Sequence, residues 1–173
     1  MHVSSYQSMV NFFISHVKSG DKVLDVGSKV CGRDKHGYGF VLKKLSKVEY
    51  HGLDIEPGDN VDIVVADPYN WRELEDESFD IVISGQLLEH VEFFWILFKE
   101  MVRVLKPGGY MCVIAPKLQK QHRFPVDCWR FLPDGMGALA KWAGITCISA
   151  EARHFSYADK PEMPYDCVGV FQK

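Results

Sequence analysis

Lys22-Val23-Leu24-Asp25-Val26-Gly27-Ser28 decides the fold. Apolar residues surround one carboxylate and run straight into a glycine. That spells a short strand buried on both faces and ending in a tight turn. Upstream, Tyr6, Met9, Val10, Phe13, Ile14 and Val17 recur at three and four residues, one apolar helix face that Gly20 stops. Downstream, further strands are expected over 50–55, 61–66, 79–84 and 110–115, with final strands over 145–150 and 167–171. A short helix is expected over 40–45 and a helical turn over 70–76. The longest helix is expected from about 89 to 105, with Val91, Phe94, Trp95, Phe98, Met101, Val102 and Leu105 as its apolar stripe. Pro107-Gly108-Gly109 ends it. A last helix over 133–142 opens on Pro133 and has Gly144 past its end. The alternation of strands and helices predicts an α/β fold with a doubly wound, mostly parallel sheet.

A chain of 173 residues fits one domain, expected to span 1–173. The net charge of -3 gives no bulk attraction for nucleic acid or an anionic membrane. Cys31, Cys112, Cys128, Cys147 and Cys167 are odd in number and never spaced C-x-x-C, which argues for reduced thiols rather than disulfides or zinc. Cys112, Cys147 and Cys167 stand in apolar runs and are expected in the core. No stretch is long and apolar enough to span a bilayer, no signal-peptide pattern opens the chain, and the cytoplasm is the expected compartment.

In an open α/β sheet, ligands bind beyond the carboxyl ends of the strands. After the first strand comes Gly27-Ser28-Lys29-Val30-Cys31-Gly32. Against the dinucleotide pattern G-x-G-x-x-G, Lys29 replaces the glycine that lets backbone approach a pyrophosphate. Gly32-Arg33-Asp34 is not a P-loop either. The ligand read from this is a nucleoside without a tight phosphate cradle. Asp54 ends the second strand, where a carboxylate can accept from both hydroxyls of a ribose. Asp67 ends the third and can accept from an adenine amino group, or cap the turn at Pro68-Tyr69. Asp25 lies inside the first strand and needs a partner, a loop amide or a ligand ammonium.

In this order and spacing the pieces resemble a class I S-adenosylmethionine-dependent methyltransferase. They are Val23-Leu24-Asp25-Val26-Gly27-Ser28, Gly52-Leu53-Asp54-Ile55, Val65-Ala66-Asp67, Ser78-Phe79-Asp80-Ile81-Val82, Leu87-Leu88-Glu89-His90-Val91 and the run from Glu100 to Gly109. The resemblance implies a Rossmann-like seven-stranded sheet whose last strand is antiparallel, with S-adenosylmethionine as cofactor. It implies that Asp25, Gly27, Ser28 and Lys29 surround the methionine end of the cofactor. Asp54 with Ile55 would take the ribose, Asp67 with Pro68 would lie by the adenine, and Ser84-Gly85-Gln86 would line the cofactor below its methyl group. Where the family loop is usually G-x-G-x-G, only Gly27 stands at a glycine position here. A narrower resemblance runs from His122 to Gly135. It is similar to a block in methyltransferase-11-like enzymes of bacterial polysaccharide and O-antigen clusters, and implies a saccharide acceptor.

A hydroxyl acceptor needs a base. Candidates are His90, His122, Asp127 and Glu89; His122 lies in the long loop over 117–131, and Asp127 could instead orient it or bind sugar hydroxyls. The competing reading of Asp127 is a structural pair with Arg130 or Arg123, and Trp129 and Phe131 are either a stacking wall or packing. Glu89, expected at a helix N-terminus, is read as dipole-stabilised. Asp67-Pro68-Tyr69 lacks one proline of the D-P-P-Y signature of nucleic-acid amino methyltransferases and follows the wrong strand. Three functions are weighed: methyl transfer to a small polar or saccharide hydroxyl, a silent cofactor-binding module completed by a partner, and a nicotinamide-dependent oxidoreductase. The last predicts a glycine at position 29 and a Tyr-x-x-x-Lys relay, and neither is present. No metal, nucleic acid or membrane partner is expected; a homodimer is.

Overall fold

Val23, Leu24, Asp25 and Val26 are all buried in β1 (Lys22–Val26), the middle of the sheet. The computed structural model describes residues 3–31, 37–45, 47–154 and 164–173. Around β1 are α1 (Val3–His16), α2 (Tyr38–Leu45), β2 (Glu49–Asp54), β3 (Ile63–Val64) and β4 (Phe79–Gly85). Then follow α3 (Phe94–Val104), β5 (Leu105–Pro116), α4 (Pro133–Ala143), β6 (Thr146–His154) and β7 (Pro164–Gln172). These strands form a seven-stranded sheet in the order β3-β2-β1-β4-β5-β7-β6. Pairings from β3 across to β5 are parallel, and β7 runs antiparallel to both β5 and β6. The expected α/β architecture with an antiparallel last strand is the one found.

Alternation along β1 and β4 feeds a core on each face. Val23, Ile81 and Ile83 pack with Met9, Phe12 and Phe13 of α1 and Leu42 of α2. Leu24, Val26 and Val82 pack with Leu97, Phe98 and Met101 of α3 and Met136 and Leu139 of α4. With both faces covered, every strand's functional residues are forced to its carboxyl end, where the chain leaves the sheet. Gly144, at φ +79°, closes α4 in the left-handed conformation, as its place past the helix predicts. No helix among the described residues is long and apolar enough to cross a membrane.

Several boundaries differ from the sequence reading. The strand expected over 61–66 shrinks to Ile63–Val64, so Asp67 lies three residues beyond it. The helix expected from 89 splits: Leu88–His90 is one 3-10 turn, and α3 begins only at Phe94. The reason is tertiary. The Glu89 carbonyl accepts the Cys128 amide at 2.7 Å, so it is spent on the loop after β5 rather than on a helix. Pro107-Gly108-Gly109 does not separate α3 from the next strand, because β5 starts directly at Leu105. Its register jumps from Phe79↔Leu105 to Ile81↔Tyr110, a bulge turned at Gly108 with φ +79°. The turn over 70–76 is not helical; Trp71 is buried there with its amide on Glu100, and Arg103 holds Glu100, Asp76 and two carbonyls. Cys112 and Cys167 are core residues, but Cys147 is only half-buried because β6 is the sheet edge.

Candidate active site

The chain leaves β1 at Gly27, whose φ of +77° needs glycine, and a Cβ there would stand 2.9 Å from Leu87. The amides of Gly27 and Ser28 both donate to the Leu53 carbonyl. Ser28 is buried; its hydroxyl donates to the Asn60 carbonyl and its own carbonyl accepts the Asn60 amide group. That amide group also donates to the Tyr50 hydroxyl, which donates to Asp25 Oδ2 at 2.6 Å. Asp25 therefore finds its partner in Tyr50, not in a loop amide. Burial pushes the Asp25 carboxyl up to about 7, against the opposing effect of the Tyr50 hydrogen bond.

That shift sets a pH dependence. Asp25 binds its proton more tightly folded than unfolded, so its contribution to stability is full below about pH 4 and is lost as pH rises through about 7. Asp25→Asn keeps an acceptor for Tyr50 and carries no charge. The expected result is a urea midpoint that falls from pH 4.5 to 8 in the wild type, by a difference on the order of a few kcal/mol relative to the variant. Parallel curves for the two proteins would remove Asp25 as the cause.

Lys29, the residue at odds with a glycine loop, points away from the turn. Its ammonium pairs with Glu56 at 2.6 Å, and its stem lies on Gly58, where a Cβ would come within 3.0 Å of it. Its backbone amide donates to Asp54 Oδ2 at 3.1 Å, while Asp54 Oδ1 accepts the amides of Ile55 and Glu56. Three amides thus aim the Asp54 carboxylate, and one acceptor position on Oδ2 stays open. Asp67 Oδ1 accepts the Tyr69 amide across Pro68, the turn-capping reading, and Oδ2 is left for a ligand.

At the end of β4 the Ser84 hydroxyl donates to the Val26 carbonyl, tying the two central strand ends together. Gly85 is required by Tyr38, whose hydroxyl would lie 2.3 Å from a Cβ. That hydroxyl is buried and has no hydrogen-bond partner among the described residues. Gln86 takes φ +61°, a costly conformation for a side chain, and its amide reaches Asp166 Oδ1 at 3.0 Å and Ser5 at 3.4 Å. The orphaned Tyr38 hydroxyl, the open site on Asp54 and the glycine turn fit a nucleoside cofactor lying across β1, β2 and β4. The sequence also carries a proline-rich stretch from Lys160 to Pro164, a candidate cap for the acceptor pocket or a turn; its residues 160–163 and Gly32 lie outside the described residues.

On the acceptor side, the loop after β5 closes over the 3-10 turn. His90 Nδ1 lies 2.6 Å from the Val126 carbonyl, and the His90 and His122 rings meet edge to face at 4.9 Å. Asp127 accepts the His122 amide at 2.7 Å and both Arg130 nitrogens at 2.5 and 2.8 Å. Arg130 holds its carboxyl far below the usual range, so Asp127 stays ionised and positions His122 without exchanging a proton near neutral pH. Trp129 donates to the Val91 and Glu92 carbonyls and meets Phe94 and Trp95 edge to face, while its side chain stays partly exposed.

Glu89 is a candidate base from the sequence, with helix-dipole stabilisation as its competing reading. It is fully buried, neither carboxylate oxygen has a hydrogen-bond partner among the described residues, and burial pushes its carboxyl up to about 8. The dipole argument fails because no α-helix starts there. The only sequence signal was its place directly after Leu87-Leu88, and His90 and Glu92 beside it gave no reason to expect burial. Tyr38, Ser5 and Asp166 carried no such signal.

Residues 36–113 match a family model described as a methyltransferase domain. The chain is 33% identical over 126 residues to phthiotriol/phenolphthiotriol dimycocerosates methyltransferase 1 of Mycobacterium ulcerans, covering 64% of this chain and 42% of that protein. It is 37% identical over 106 residues to demethylmenaquinone methyltransferase of Staphylococcus haemolyticus, covering 54% and 43%. The chain thus spans less than half the length of these curated relatives. In fold it is similar to phosphoethanolamine N-methyltransferase 2 of Haemonchus contortus, solved with S-adenosyl-L-methionine, at a TM-score of 0.71 and 16% identity over 99% of this chain and 52% of that one. Over residues 36–113 the chain is similar to a methyltransferase domain, and its seven-stranded sheet has the fold of S-adenosylmethionine-dependent methyltransferase structures.

Proposed function

We propose that the chain, acting as one domain, transfers a methyl group from S-adenosylmethionine to an oxygen of a small polar acceptor, with saccharide hydroxyls the first class to test. The observation that carries this reading is the meeting of two half-sites. The nucleoside-binding strand ends of β1, β2 and β4 adjoin a cluster of Glu89, His90 and His122 at the mouth of β4. S-adenosylmethionine supplies the methyl group and its positive sulfonium. Asp54 would hold the ribose, Asp67 Oδ2 the adenine edge, and the Gly27–Lys29 turn with Ser84, Gly85 and Gln86 the methionine end. The side chain of Lys29, neutralised by Glu56, leaves the sulfonium unopposed. His122, whose backbone amide donates to Asp127, would take the acceptor proton.

The polysaccharide-cluster assignment rests on the His122–Gly135 block alone. The relatives named above are called after a lipid and a quinone, so a phenolic or lipid hydroxyl is the competing acceptor class. The scattered cysteines favour a reducing, cytoplasmic compartment. The test is calorimetric titration with S-adenosylmethionine, S-adenosylhomocysteine and NAD, followed by an acceptor screen read as S-adenosylhomocysteine release. Saturable binding of the first two with turnover on a hydroxyl, slowed at least tenfold in His122→Ala, is expected. Binding of NAD alone, or turnover unchanged in His122→Ala, overturns the cofactor or the base assignment respectively.

A further inference from the structure

Glu89 poses a problem that hydrogen bonding within the chain does not solve. A buried carboxylate without partners costs several kcal/mol, and natural proteins keep such groups only where something fills the gap. Protonation does not remove the problem. It cancels the charge but leaves an O–H and a carbonyl oxygen, both buried and both unpaired. His90 Nε2 lies 3.7 Å from Glu89 Oε1, too far for a hydrogen bond.

The two histidines are held as ligands are held. A carbonyl only accepts, so His90 Nδ1, 2.6 Å from the Val126 carbonyl, must carry the proton. The lone pair of the neutral ring then sits on Nε2, the nitrogen that faces Glu89. In His122, Nδ1 lies 3.2 Å from the Lys120 carbonyl and 3.5 Å from Asp127, which again leaves Nε2 as the free nitrogen. Fixing one ring nitrogen by a carbonyl or carboxylate so that the other is presented to a cation is the usual support of metal-bound histidine. One ligand atom from each of Glu89, His90 and His122 lies within 4.8 Å of the others. Around a shared divalent cation, ligand atoms at about 2.1 Å would sit about 3–3.5 Å apart, within reach of small side-chain rotations. Asp166 and Asp127 add negative potential at Glu89, opposed by Arg130.

We propose that Glu89, His90 and His122 form a binding site for one divalent cation of the zinc, manganese or ferrous class, with further coordination positions open. Two imidazoles suit zinc and ferrous iron and the carboxylate also suits manganese, whereas calcium and magnesium take oxygen ligands. The seat spans two elements, the 3-10 turn after β4 and the loop after β5, so a cation there would pin the loop to the sheet. The site rests on the methyl-transfer reading but replaces His122 as the base: with His122 Nε2 on the cation, the open positions would take the acceptor oxygen and lower the pKa of its hydroxyl, whose proton would leave to solvent water.

Metal binding is tested without cofactor or acceptor, so this proposal and methyl transfer stand or fall separately. Chelator-stripped wild-type protein is dialysed against Zn²⁺ or Mn²⁺ and the bound metal counted by elemental analysis. One equivalent is expected, with affinity reduced at least tenfold in both Glu89→Gln and His122→Ala. Substituted Co²⁺ should give a nitrogen and oxygen spectrum without a thiolate charge-transfer band. His122 sits in a loop, and Glu89→Gln is isosteric, so a folding failure in one leaves the other to decide. No saturable binding by the wild type, stoichiometric binding that survives both substitutions, or a thiolate band would each overturn the site.

Discussion

Asp54→Ala is expected to weaken S-adenosylmethionine binding by about two orders of magnitude, because charge-assisted hydrogen bonds to the ribose are worth about 1.5–3 kcal/mol. The loss has a second source. Asp54 accepts the amides of Lys29, Ile55 and Glu56, and so fixes the loop after β1 to the end of β2. Without the carboxylate three amides must find water, and the Gly27–Lys29 turn loses its anchor. Asp54→Asn should do little better, since its amide nitrogen would face a backbone donor on one side or the other. Titration calorimetry on the folded variants reads the effect directly. An unchanged affinity would mean that the cofactor ribose lies elsewhere.

Arg130→Ala is expected to carry the largest stability cost on the acceptor side, about 2–4 kcal/mol in urea unfolding, the range for breaking a shielded ion pair by removing one partner. Arg130 clasps Asp127 with two hydrogen bonds and also reaches the Gln119 and Lys120 carbonyls. The Asp127 side chain is only 1% exposed, so without Arg130 its charge is left covered and unpaired. Acid should narrow the difference between the two proteins. The folded Asp127 carboxyl titrates well below its ordinary value, so its stabilising contribution is present above about pH 4 and is lost as pH falls below that. A midpoint equal to wild type at pH 7 would show that the clasp contributes nothing net.

The sheet and the cofactor side were legible because their causes are local. Lys22–Val26, Glu49–Asp54 and Phe79–Gly85 are short apolar runs that cannot be solvated, and each ends in the residue that leaves the core. Gly27 and Asp54 could therefore be singled out as strand-end residues, while Ser84–Gln86 came only from the family resemblance. Lys29 looked like an exception because its side chain was judged against the glycine beside it. Glu56, 27 residues on, is what turns it outward.

The acceptor side was legible only as a set of suspects. The reading of Glu89 as a helix-start residue followed from an apolar stripe that does run on to Leu105, yet the helix is cut because the Cys128 amide takes the Glu89 carbonyl. Asp127 was open between two roles, and in the folded loop it makes the structural pair with Arg130 while also accepting the His122 amide. What the sequence by itself determined is the α/β class, the strand ends and the glycine turn, since burial and backbone conformation are dictated by neighbours in the chain. What only the tertiary structure decided is which polar groups are left unpaired. Tyr38, Glu89 and Gln86 acquire their state from residues tens of positions away, and no local pattern carries the sum of those long-range hydrogen bonds.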